Sequence, residues 1–79
     1  MDQEKVGRII KTLRKDKGMT QRELSEMLNV TDRAVSKWER GLGCPDVSLL
    51  TSLSEIFSVD IESIIEGDME ENEKRSGNM

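Results

Sequence analysis

The chain has 79 residues, enough for one small domain and too few for two substantial cores. Hydrophobic residues make up 34% and charged residues 35%, with one Phe, one Trp and no Tyr, so the core has to be aliphatic, which disfavours a β-sandwich. The net charge of −4 hides an asymmetry: residues 1–45 carry ten Lys/Arg against seven acids (net +3), and residues 46–79 carry two against nine (net −7).

A first helix is predicted from Gln3 to Lys17, where Val6, Ile9, Ile10 and Leu13 recur at helical spacing and Lys and Arg fill the other faces. Gly18 is placed to end it as a left-handed cap residue. Thr20 and Glu23, three apart, form a capping-box signature that opens a second helix at Gln21. Its inward residues are expected to be Leu24, Met27 and Leu28, with Met19 and Met27 as core filler. Asn29 tolerates positive φ, and Val30 plugs the corner. Thr31 is a second N-cap candidate, and Asp32 adds a negative charge in the first turn, where the helix dipole favours one. A third helix therefore runs from Asp32 to Arg40, stopped by Gly41 and Gly43. After Pro45 and Asp46 a fourth carries the stripe Leu49, Leu50, Leu53, Ile56 and Phe57. Asp60 opens a short fifth through Ile61, Ile64 and Ile65, ended by Gly67. Residues 68–79 hold acids and small polar residues with no periodic apolar set, and are expected to form a flexible, disordered tail or linker. The expected architecture is all-α: one compact five-helix domain over residues 1–67, with a two-helix motif at 21–40.

Two short helices joined by a three-residue turn match the helix-turn-helix of DNA readers. Val35 and Trp38 are three apart and share a face, which is assigned inward against Leu24, Met27 and Val30. Asp32, Arg33, Ser36 and Lys37 are left on the outer face, where a helix in the major groove meets base edges. Arg33 suits bidentate contact with guanine, and Lys37 donates to guanine or to a phosphate. Asp32 either accepts from cytosine or serves its own helix. Gln21 lies beside free backbone N–H groups at a helix start, a place suited to a phosphate.

At this point the pattern becomes that of a known family. Leu13-Arg14, Gly18-Met19-Thr20-Gln21, Glu23-Leu24-Ser25, Leu28-Asn29-Val30-Thr31, Val35-Ser36-Lys37-Trp38-Glu39-Arg40-Gly41 and Pro45 agree at fixed spacing. With Leu50, Leu53, Ile56, Val59, Ile64 and Ile65 following, residues 5–66 resemble the lambda repressor/Cro-type DNA-binding domains, also called the xenobiotic-response-element family. The resemblance implies base contacts at Asp32, Arg33, Ser36 and Lys37, and backbone contacts at Gln21 and Arg40; Thr31 is added here as a third phosphate contact. It also implies a partly buried salt bridge between Arg14 and Glu39. As a function it implies a non-enzymatic, sequence-specific transcriptional regulator, a repressor, that binds near-palindromic double-stranded DNA as a homodimer. Three features depart from the family pattern. Asn29 stands where glycine is usual and Ser25 where alanine is usual, and the loop Gly41-Leu42-Gly43-Cys44 has no cation to anchor a phosphate.

Other readings compete with these. Trp38 can stack on a base, but its spacing with Val35 favours core packing. Cys44 has no basic neighbour and reads as inert. One cysteine and no histidine exclude an intrachain disulfide and the usual zinc ligand sets, and no cofactor is expected. Glu39 lacks a partner for catalysis, and Lys11, Lys15 and Lys17 read as solvated charge. No apolar run exceeds two residues, so no membrane segment is read and a cytoplasmic location is expected. The acidic second half supports an alternative, a module that binds a partner protein with DNA contact secondary. The tail is read as leading towards a further domain or protein partner.

Overall fold

The computed structural model describes residues 2–66, so the expected tail and the helix stop at Gly67 lie outside the described residues. Among the described residues there are five helices and no strand: α1 (Gln3–Asp16), α2 (Gln21–Leu28), α3 (Asp32–Glu39), α4 (Val47–Phe57) and α5 (Ile61–Glu66). The described residues are all-α, in keeping with a composition that disfavours a β-sandwich. None of these helices is long and apolar enough to cross a membrane.

Local chemistry sets the helix ends. Asp2 caps α1, its carboxylate accepting from the N–H groups of Glu4 and Lys5. Thr20 and Glu23 form the full capping box at α2, and Thr31 Oγ1 accepts from the N–H of Ala34 at α3. Gly18 follows α1 at φ 71°, and Asn29 closes α2 at φ 62°, the left-handed conformation its short side chain tolerates. Two boundaries move by one residue. Lys17 and Arg40 are cap residues rather than the last helical ones: their N–H groups still bond carbonyls of the last turn, with ψ at 0° and 2°.

All five helices send a fully buried aliphatic side chain to one core: Val6 and Ile10, Leu24, Val35, Leu53 and Ile64. Each such burial contributes roughly 1.5–3 kcal/mol. α1 packs on α3 and α5, α2 on α3, and α4 on α5. Where α1 meets α3 the backbones nearly touch. A Cβ built on Gly7 would lie 2.1 Å from the carbonyl oxygen of Trp38.

One expected core residue is not in the core. Met27 is 58% exposed and, with Met19 and Ile56, lines an open groove on the outer side of α2. Leu24 and Leu28 occupy the covered arc of this short helix, and the described residues leave its edge at Met27 largely open. Ser58 is a second surprise: it closes α4 at φ 56°, a left-handed cap at a residue that seldom adopts one.

Asp46 caps α4, accepting from the Ser48 hydroxyl at 2.8 Å and the Leu49 N–H at 3.0 Å. These bonds, the Ser48 one first, hold its carboxyl below the ordinary aspartate value. A depressed folded-state pKa contributes stability that is complete above the ordinary value and lost as pH falls through the folded one. Asp46→Asn retains a capping side chain without the charge. Its melting temperature is expected to fall below that of the native chain at neutral pH and to converge with it in acid. Parallel melts that keep a constant gap down to low pH would contradict this.

Candidate nucleic-acid interface

α3 is two turns long and divides cleanly. Val35 and Trp38 turn into the core at 0% and 7% exposure, while Arg33, Lys37 and Arg40 stand in solvent. Arg33 and Lys37 are one turn apart, with Ser36, half-buried, on the same side. Among the described residues, no carboxylate lies within ion-pair distance of Arg33 or Lys37. Among the described residues, then, their charges are uncompensated and no hydrogen bond engages their side chains. Arg40 is partly engaged, its Nε donating to the Ser36 carbonyl at 3.3 Å. Asp32 and Thr31 are exposed at the helix start, where Thr31 serves as the cap.

The first turns of α2 and α3 add backbone donors. The capped groups are Glu23 N–H on α2 and Ala34 N–H on α3. The N–H groups before them, of Gln21, Arg22, Asp32 and Arg33, have no acceptor among the described residues, as helix geometry requires. Open N–H groups at a helix start, at the positive end of its dipole, suit an anion.

Behind this face lies a charged seam that ties the three helices. Arg14 Nε donates to Glu39 Oε2 at 2.7 Å and Arg14 Nη2 to Glu39 Oε1 at 3.0 Å, a bidentate pair. The Arg14 side chain is 10% exposed and that of Glu39 is 3% exposed. Arg14 Nη1 also donates to the Met19 carbonyl at 2.7 Å. Hydrogen bonding to Glu39 raises the pKa of Arg14 above its already high value, against a smaller opposing effect of burial, so the guanidinium stays charged.

Gln21 is not simply free at the surface. Its Nε2 donates to Glu39 Oε1 at 3.0 Å, so it belongs to the seam as well as to the start of α2. No spacing rule joins Gln21 to a residue eighteen positions away, and the sequence reading did not connect them. Arg22, also unremarked there, is exposed and lies 3.5 Å from Glu26 in an exposed helical pair of little energetic weight. Cys44 is half-buried and packs against the core.

With this geometry in hand, the similarities to other proteins are specific. A helix-turn-helix family model matches residues 10–64. The HTH-type transcriptional activator BcrR of Enterococcus faecalis is 39% identical over 71 residues, covering 85% of this chain and 35% of its own. The clp gene regulator ClgR of C. glutamicum superposes with a TM-score of 0.74 at 27% identity, covering 90% of this chain and 92% of that one. The DNA-binding domain of the P22 C2 repressor superposes with a TM-score of 0.72 at 30% identity, covering 80% of this chain and 83% of that one. The chain spans between 35% and 56% of the length of the curated relatives it matches. Capped helices, a left-handed turn at Asn29, the inward Val35 and Trp38, and a family match over more than half its length agree: this chain belongs to the lambda-repressor-like helix-turn-helix family.

Proposed function

We propose that residues 1–67 form the sequence-specific DNA-binding domain of a transcriptional regulator, with residues 68–79 as a linker. The reading is non-enzymatic: the chain binds and positions. One observation carries it: Arg33 and Lys37 stand outward, with no ion-pair partner among the described residues, on a helix whose opposite side is locked into the core by Val35 and Trp38. Arg33 reads guanine through its two-pronged guanidinium, Lys37 and Ser36 donate to neighbouring base edges, and Asp32 accepts from cytosine. Gln21, Thr31 and Arg40, with the open amides of α2 and α3, hold phosphates and set the register. A second copy on a near-palindromic site would place two such helices about one helical turn, ~34 Å, apart. The domain supplies an address rather than a sign. One relative is named an activator and another a repressor.

The test begins with duplexes selected from a random pool, compared at fixed salt with unselected DNA. Arg33→Ala is expected to weaken binding to the selected site by about 1–3 kcal/mol and to leave random DNA nearly unaffected. Equal losses on both would remove base readout by Arg33.

A further inference from the structure

We propose that Glu39 is a positioning residue for phosphate contact by Gln21, and that Arg14 makes this role possible by neutralising it. The proposal rests on the DNA-binding reading above. An ionised carboxylate only accepts, so a glutamine beside it has to turn its amide nitrogen towards it and its carbonyl away. The 3.0 Å contact from Gln21 Nε2 to Glu39 Oε1 therefore fixes which way the Gln21 amide faces. It consumes one of the two Nε2 hydrogens. No acceptor among the described residues takes the other, or the backbone N–H groups of Gln21 and Arg22, so all three are open to an incoming phosphate.

Two features make this arrangement useful rather than incidental. A bare carboxylate so near a bound phosphate would repel it. Arg14 cancels that charge through both its Nε and Nη2 contacts, and the Glu39 side chain is itself almost wholly enclosed at 3% exposure. Glutamine is also among the side chains with most rotamer freedom to lose, and here the loss accompanies folding instead of DNA binding. α1 thereby sets a donor on α2 by way of α3.

The experiment uses the 79-residue chain and two readouts. By NMR, the free native chain is expected to show one protected, shifted Gln21 side-chain amide proton, and random-sequence duplex should move the second. In binding at fixed salt, at a temperature where circular dichroism shows the variants folded, Gln21→Ala is expected to weaken random-sequence duplex roughly three- to tenfold. Glu39→Gln should weaken it in the native background and add no further loss to Gln21→Ala. Equal Glu39→Gln losses in both backgrounds, or averaged Gln21 amide protons in the native chain, overturn the positioning role. An ordered Gln21 amide combined with undiminished binding by Gln21→Ala overturns the phosphate reading itself, and the proposal with it. If Glu39→Gln does not fold, the native amide signals and their response to duplex decide alone.

Discussion

Gly7→Ala is expected to lower the melting temperature by about 8–16 °C, although it replaces a poor helix former with the best one. In an exposed helix interior that exchange gains about 1 kcal/mol. Gly7 is inside α1, but its backbone lies against α3. The added Cβ would meet the Trp38 carbonyl oxygen at 2.1 Å, the Trp38 carbonyl carbon at 3.1 Å and Glu39 Cα at 3.2 Å. All three are backbone atoms, so no rotamer change relieves the clash. The helices must move apart, and that loosens the Trp38 packing and the Arg14–Glu39 seam together. Overpacking costs about 1–3 kcal/mol and sometimes more, and a backbone clash belongs at the upper end. With about 4–8 °C lost per kcal/mol in a domain of this size, clash outweighs propensity. A thermal melt followed by circular dichroism checks it; an unchanged or raised midpoint would show that α1 and α3 do not meet this way.

Glu39→Ala is expected to cost about 3–5 kcal/mol. The loss exceeds the worth of the pair because Arg14 stays behind, enclosed, charged at every working pH, and left with only the Met19 carbonyl. Gln21 loses its acceptor at the same time. The pair itself need not stabilise the fold. Replacing both Arg14 and Glu39 with leucine should therefore melt higher than Glu39→Ala, because no charge is stranded. Urea unfolding of the native chain, the single variant and the double variant separates these cases. A single variant as stable as the native chain would mean that Arg14 reaches water without Glu39.

Much of the helical frame was legible because its causes are local. Thr20 with Glu23, and Thr31, each cap within three residues, and Asn29 turns on its own backbone preference. The inward placement of Val35 and Trp38, and with it the outward placement of Arg33 and Lys37, followed from helical periodicity alone. Met27 did not follow. On an eight-residue helix the apolar arc is narrow, and whether its edge is covered depends on where α4 and the end of α1 lie. Ser58 gave no local sign of its left-handed turn.

By itself, then, the amino-acid order determined the five helices, the capped starts of α2 and α3 and which side of α3 faces out, because capping and periodicity act within a few residues. The tertiary structure alone decided that Gly7 must lack a side chain, that Met27 stays in water, and that Gln21 is held by Glu39. Each of these depends on how close two separately formed helices come. That distance is set by packing the whole core, and no neighbouring residues encode it.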